Sequence, residues 1–191
     1  MVDKYRNFDK LFASERRDVD FRVRCFDRKT AIVLMAPHGG HIEPETSSIA
    51  ETIAGDQYSF YAFEGLRARS RELHITSEHF DEPDALALLS GARTAITIHG
   101  RQDRGDPATI WLGGLDTELR EAIARQLHAA GFEVTMQGAS MPGVAKSNIC
   151  NRGTSNMGVQ LELPFSLRDD LRKSPARMKR FCDAVQGALG I

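Results

Sequence analysis

The sequence predicts an α/β fold: one open, mixed but largely parallel sheet flanked by helices on both faces. Three observations point there. Short apolar stretches of strand length alternate along the chain with amphipathic stretches of helix length. The stretch "AIVLM", residues 31–35, is apolar at consecutive positions, as a strand buried on both faces of a sheet must be. No repeat, low-complexity tract or Pro/Gly/Ser-rich linker interrupts the 191 residues, so 1–191 reads as a single domain.

Taken in order, Asp3 to Glu15 carries Tyr5, Phe8, Leu11 and Phe12 at helical spacing and reads as a short amphipathic helix. "FRVRCF" (21–26) alternates with period two, the pattern of a half-exposed strand, and Asp27-Arg28-Lys29 turns it towards "AIVLM". Ser48-Ile49-Ala50-Glu51 fits a capping box, which predicts a helix over 48–54 stopped by Gly55. "YSFYAF" (58–63) and "ELHIT" (72–76) read as strands. Asp81-Glu82-Pro83 opens a helix that runs through Leu86 and Leu89 to Gly91. "TAITIHG" (94–100) is a strand ending in His99-Gly100. Leu115, Leu119, Ile123 and Leu127 share one face of a helix capped by Asp116 or Thr117 and ended by Gly131. "FEVTM" (132–136) and "GVQLEL" (158–163) are the last strands, and a helix over about 177–189 closes the chain.

Composition narrows the function classes. With 41% hydrophobic and 27% charged residues, the make-up is that of an ordinary globular domain. A net charge of −1 gives no bulk electrostatic pull towards nucleic acid or an anionic membrane. The longest apolar run, Ala31 to Pro37, is too short to span a bilayer. The opening residues lack the apolar core of a secretory signal, so cytoplasmic synthesis is expected. Cys25, Cys150 and Cys182 are odd in number and widely spaced, which predicts reduced, mostly buried thiols rather than disulfides or a thiolate zinc site.

In parallel sheets, ligands gather beyond the carboxyl ends of the strands. His38 follows "AIVLM" and His99 follows "TAITI", so both belong to one rim of the sheet. A catalytic zinc takes three protein ligands and leaves one position for water. Glu43 lies in the same loop as His38, and Gly39 and Gly40 let that backbone bend until both side chains converge. His38-x-x-His41 is also ligand-like spacing, and on spacing alone His41 and Glu43 are tied. In "QLELP" (160–164), Glu162 shares a strand face with Gln160, opposite Leu161 and Leu163. That face is either exposed to solvent, or it holds Glu162 beside a metal-activated water as general base. Arg101 and Arg104 follow His99, and Lys146 and Arg152 precede the last strand; arginines at such a rim bind carboxylates or stabilise an oxyanion. Arg152 is favoured, because its Gly/Asn-rich loop leads directly into the Glu162 strand.

Four blocks in order, "PHGGHIEPETSSIA", "SEHFDEP", "TAITIHG" and "NICNRGTSNMGVQLEL", make the chain resemble the poly-γ-glutamate hydrolase family over about residues 31–163. Members of that family are often labelled phage-related replication protein. The resemblance implies an architecture like the zinc carboxypeptidases, with one Zn2+ per chain at the strand ends. It implies His38, Glu43 and His99 as the zinc ligands, resolving the tie against His41, where the family commonly has a small residue. It implies Glu162 as the catalytic carboxylate, with Arg152 gripping a substrate carboxylate; Arg101, Arg104 and Lys146 remain substrate-contact candidates from their place near the rim alone. His79, from "SEHFDEP", is implied as an outer partner of a ligand or as a wall of the substrate cleft.

The implied activity is zinc-dependent hydrolysis of γ-glutamyl amide bonds, in poly-γ-glutamate or γ-glutamyl peptides. The alternatives are a zinc deacylase of small N-acyl amino acids and a non-catalytic phage-associated binding module. A γ-glutamyl polymer or peptide is the expected partner, with neither nucleic acid nor membrane. The expected location is the cytoplasm, or outside the cell after lysis if the enzyme is phage-encoded. Two departures from the family pattern, His41 and Glu45, bear on specificity: an added carboxylate at 45 would repel a polyanion.

Overall fold

A computed structural model of the chain describes residues 3–136 and 142–190. Its elements are α1 (Phe8–Phe12), β1 (Phe21–Phe26), β2 (Ile32–Gly40), α2 (Thr46–Ala54), β3 (Ser59–Gly65), α3 (Pro83–Gly91), β4 (Thr94–Arg101), β5 (Ile110–Gly113), α4 (Thr117–Ala129), β6 (Val134–Thr135), β7 (Val159–Pro164), α5 (Phe165–Lys173) and α6 (Pro175–Ala188). Seven strands form one sheet in the order β1-β3-β2-β4-β7-β5-β6. The four central strands β3, β2, β4 and β7 run parallel; β1 pairs antiparallel with β3, and β5 antiparallel with β7. The mixed, mostly parallel α/β sheet is the predicted architecture.

The apolar run of β2 divides cleanly between two cores. Leu34 and Ala36 join Ile49 and Ile53 of α2 and residues of α4, α5 and α6 on one face. Val33 and Met35 join Phe8, Leu11, Leu88 and Leu89 under α1 and α3 on the other. Both faces of the strand are therefore packed, which is why its sequence does not alternate.

Several elements differ from expectation, for identifiable reasons. β2 does not stop before His38: it continues through Gly40, with a register shift against β3 between Ala36 and Gly39. His38 is thus a strand residue at a bulge, and a bulge re-aims a side chain. Gly40 sits at φ +62, and a Cβ there would lie 2.4 Å from the Gly65 carbonyl oxygen, so only glycine fits this close approach. α2 starts two residues earlier than the capping box suggests. Glu45 occupies the cap position in a left-handed conformation without a side-chain cap bond. The segment "ELHIT" is not a strand: a 3-10 turn over Ser70–Leu73 runs into extended backbone. Its alternation is real, because Leu73 and Ile75 are buried in the second core while His74 faces the opposite way. The Ile75 carbonyl, however, meets the His38 ring and not a neighbouring strand. β5 and α5 carry no clear periodic signal, and the helical stretch predicted over 3–15 shrinks to one short turn of helix. Cys150 and Cys182 are buried thiols as expected, whereas Cys25 is exposed; all three are free.

Arg168 of α5 braces the strand ends. Its buried guanidinium donates to the carbonyls of Leu163 (3.2 Å), Arg101 (3.3 Å) and Pro44. It also lies against Gly100, where an added Cβ would come within 2.6 Å of Cζ. One side chain thus ties the ends of β4 and β7 to the loop after β2. Each buried acceptor left unpaired costs about 1–3 kcal/mol. Arg168→Met is therefore expected to lower stability by at least that much, read as a lower thermal midpoint; an unchanged midpoint contradicts the brace. No described helix is long and apolar enough to cross a membrane.

Candidate metal centre

Parallel β2 and β4 deliver His38 and His99 to one rim, and the β4–β7 ladder pairs His99 directly with Glu162. Glu43 swings back from the loop after β2. The outcome is a tight cluster: His38 Nδ1 lies 3.2 Å from His99 Nδ1 and 3.4 Å from Glu43 Oε1, and His99 Nδ1 lies 3.7 Å from Glu43 Oε2. All three distant side chains that the sequence singled out do meet.

These residues fit a divalent cation. Ligand atoms about 2.0–2.2 Å from a tetrahedral zinc lie roughly 3.3–3.6 Å apart, close to the spacings here. The His38 Nε2–H donates to the Ile75 carbonyl at 2.8 Å, which leaves Nδ1 as a bare lone pair aimed at His99. Glu43 is oriented in turn by the Gly100 N–H, which donates to Oε2 at 2.8 Å. His99 Nε2 is buried without a hydrogen-bond partner among the described residues. A proton on His99 Nε2 turns two nitrogen lone pairs on each other at 3.2 Å, an arrangement a cation between them relieves. Burial alone would raise the Glu43 pKa, but the facing histidines hold it far below the usual carboxylate range. Burial also opposes a charge on His99, yet the Glu43 hydrogen bond and the Glu162 and Glu43 charges outweigh it and raise its pKa.

The sequence missed His74. Its ligand atom and those of His38 and Glu43 all lie within 4.8 Å of one another, and its ring centroid is 4.0 Å from that of His38. It stands on the extended stretch misread as a strand. Its Nδ1 donates to Asp3 at 2.7 Å, leaving Nε2 free. The His38 charge, then burial, push its pKa down to about 4, against the pull of Asp3. Two histidines thus accompany His38 and Glu43: His99, whose Nδ1 lies 3.2 Å from His38 Nδ1, and His74, whose ring centroid is the nearer to that of His38, 4.0 Å against 5.0 Å.

Glu162 is buried, so its face of β7 is not the solvent face. It accepts a hydrogen bond from Gln160 Nε2 at 3.3 Å, and Gln160 is itself held by Asn148 Nδ2 at 3.1 Å. Burial, aided by the Glu43 charge and opposed by His99, raises its pKa from 4.5 to about 7. The folded state therefore binds this proton more tightly than the unfolded chain does. The resulting stability is fully present below about pH 4.5 and is lost as pH rises to about 7. Glu162→Gln is expected to stabilise the metal-free fold above about pH 7, a gain that fades below about pH 4.5. Paired thermal melts of the metal-free proteins at pH 4.5 and 8 check it.

Two hollows adjoin at this cluster. One, of about 490 Å³, is lined by His38, His99, Glu162, Asn148, Gln160 and Gly143 through Ala145. The other, of about 520 Å³, is lined by His41, Arg71, Arg101, Arg104, Trp111 and Phe165. Both share Glu43, His74, Thr76 and Gly100, so the cluster sits where they join. The turn "NICNRG" holds the wall of the first hollow. Asn151 Nδ2 donates to Gly143 O at 2.7 Å and to Ala145 O at 2.9 Å.

The basic residues meet different fates. Arg104 is exposed on the second hollow. Arg101 is buried and engaged: it pairs with Asp106 at 2.7 Å, donates to the Thr109 carbonyl, and stacks 4.0 Å over the Trp111 ring. Arg152 donates to the Phe80 carbonyl at 3.0 Å and lines a separate hollow with His79, joined to the metal side only through Glu78. Lys146 is exposed and lines neither adjoining hollow. Thus Arg152, His79 and Lys146 are not brought to the cluster: Arg152 is held on the Phe80 carbonyl, His79 lies before α3 beside it, and Lys146 is exposed. Glu45 also lines neither hollow and pairs with Arg172 at 3.7 Å.

The profile of a family described as poly-gamma-glutamate hydrolase matches residues 5–182. The SPbeta prophage-derived UPF0714 protein YoqZ of Bacillus subtilis (strain 168) is 37% identical over 173 residues, covering 89% of this chain and 62% of that protein. The UPF0714 protein YndL of the same strain is 33% identical over 172 residues, 88% of this chain and 67% of that protein. The chain thus spans about two thirds of the length of these curated relatives. Among solved structures, a bacteriophage poly-gamma-glutamate hydrolase superposes with a TM-score of 0.94 at 28% identity, covering 98% of this chain and 97% of the other. A zinc-free structure of YndL superposes at 0.90 with 31% identity, covering 98% of each chain.

Proposed function

Since this chain belongs to the poly-gamma-glutamate hydrolase family, we propose that it is a zinc-dependent amidohydrolase cleaving γ-glutamyl amide bonds, in poly-γ-glutamate or γ-glutamyl peptides. The observation that carries the reading is the convergence of His38, Glu43 and His99 within 3.2–3.7 Å of one another, beside a buried Glu162. A solved relative described as zinc-free supports zinc as the metal.

In this reading His38, Glu43 and His99 hold one Zn2+. When bound, the metal supplies Lewis acidity to the amide carbonyl and to the attacking water. Glu162 takes the water's proton and hands it to the leaving amine. Its burial, which favours the protonated form, suits a group that must both accept and return a proton. Gln160 fixes the carboxylate from one side. Arg104, on the open hollow and without a carboxylate partner among the described residues, is the better candidate of the predicted arginines for a substrate carboxylate. Arg101 acts by shaping that hollow through Trp111, and Arg152 by anchoring its loop on Phe80.

The joined hollows favour an extended substrate over the closed cup that a deacylase of small N-acyl amino acids requires. A binding module has no use for a proton-accepting carboxylate beside the metal. Elemental analysis of purified protein, with assays on matched γ- and α-linked glutamyl peptides, tests the proposal. About one zinc per chain and cleavage of the γ-linked peptide are expected; zinc-loaded protein that cleaves only small N-acyl amino acids, or nothing, overturns it.

A further inference from the structure

Asp3 reaches 71 residues along the chain to the extended stretch after the 3-10 turn and grips it twice. One carboxylate oxygen accepts from His74 Nδ1 at 2.7 Å, and the other accepts from the Thr76 backbone N–H at 2.6 Å. The second bond fixes the backbone and the first fixes the ring. A carboxylate on Nδ1 puts the proton there and leaves the lone pair on Nε2, which is how outer carboxylates orient metal-bound histidines. The ring so held stacks 4.0 Å from His38, and its ligand atom lies within 4.8 Å of those of His38 and Glu43. It lines both hollows where they join.

We propose that Asp3 is a positioning residue for the metal centre, presenting His74 Nε2 as a fourth protein donor to the cation held by His38, Glu43 and His99, in a five-coordinate shell that keeps the position for water. This rests on the zinc reading above and adds to it. A merely structural Asp3 would stabilise the fold without caring which ring nitrogen of His74 is free. Asp3→Asn separates the two roles. The amide oxygen can still accept from Thr76, but the amide N–H₂ turned to His74 Nδ1 would force the proton onto Nε2 and take the donor away.

The experiment is zinc affinity of the chelator-stripped, folded protein, measured by competition with a chromogenic chelator, alongside the visible spectrum of the Co2+-loaded protein. Asp3→Asn is expected to weaken zinc binding by about 10–100-fold, the range seen when an outer partner of a ligand is lost. His74→Ala is expected to weaken it at least as much and to change the Co2+ ligand-field bands. Combined with His74→Ala, Asp3→Asn should cost nothing further, since its effect passes through that ring. Asp3→Ser serves as a second variant should the amide disturb folding.

Unchanged zinc affinity and Co2+ bands in His74→Ala overturn the proposal. So does an Asp3 effect that persists in full once His74 is gone. Either result leaves zinc binding by the wild type intact and so spares the parent reading, whereas wild-type protein that binds no zinc brings down both.

Discussion

Glu162→Gln is expected to lose the proposed γ-glutamyl hydrolysis while still binding zinc. Proton transfer by a positioned side chain is worth about 10²–10⁴-fold. Glu162 is asked to transfer the proton twice, first from the water and then to the leaving amine, so kcat should fall by at least that range. Zinc content should hold, because the contacts among His38, Glu43 and His99 run through other atoms. The glutamine keeps the shape of the side chain, and its amide oxygen can still accept from Gln160. Steady-state kinetics with elemental analysis on the same sample read both quantities. A variant that hydrolyses at the wild-type rate removes Glu162 from the chemistry; one that loses zinc moves it into the metal's own shell.

His38→Ala is expected to lose zinc binding and the proposed activity together. His38 is the hub of the cluster: its Nδ1 faces both His99 and Glu43, and its Nε2 is anchored on the Ile75 carbonyl. Loss of an outer partner of a ligand costs 10–100-fold in affinity, and loss of the ligand itself should cost more than about 100-fold. The same linkage appears in stability. Zinc at 100 times its dissociation constant stabilises the wild-type fold by about 2.7 kcal/mol, or roughly 5–10 °C in the midpoint of a chain this size. In His38→Ala the zinc-induced rise should vanish. Melts of both proteins with and without zinc decide it, and a variant that still gains stability from zinc contradicts His38 as a ligand.

What the sequence revealed of this arrangement, and what it hid, follows the range of the interactions involved. β2 was legible because burial on both faces writes itself into consecutive apolar residues, β4 and β7 showed as strand-length stretches of apolar residues interrupted by polar ones, and parallel strands carry their carboxyl ends to one rim. His38, His99 and Glu162 inherit their positions from those strands. His74 was hidden by a correct pattern wrongly interpreted. The alternation of "ELHIT" marks extended backbone, but nothing local says whether its carbonyls meet a strand or, as at Ile75, a histidine ring. Its partner Asp3 is 71 residues away, beyond any periodicity.

The arginines show the same limit. Arg101, Arg104 and Arg152 look alike in the sequence as basic residues near a candidate site, and Arg168 carries no signal there at all. The fold commits Arg168 to two strand-end carbonyls and the Pro44 carbonyl, and Arg101 to Asp106 and Trp111, and it leaves Arg104 facing solvent. Glu45 likewise looked like a repulsive charge on the substrate path, yet it turns to Arg172 instead.

The most direct test of the central claim is anomalous X-ray scattering at the zinc edge from crystals of the zinc-loaded protein. A single strong peak about 2.0–2.2 Å from His38 Nδ1, His99 Nδ1 and a Glu43 oxygen is the predicted result. A peak elsewhere, or none between those three side chains, contradicts it.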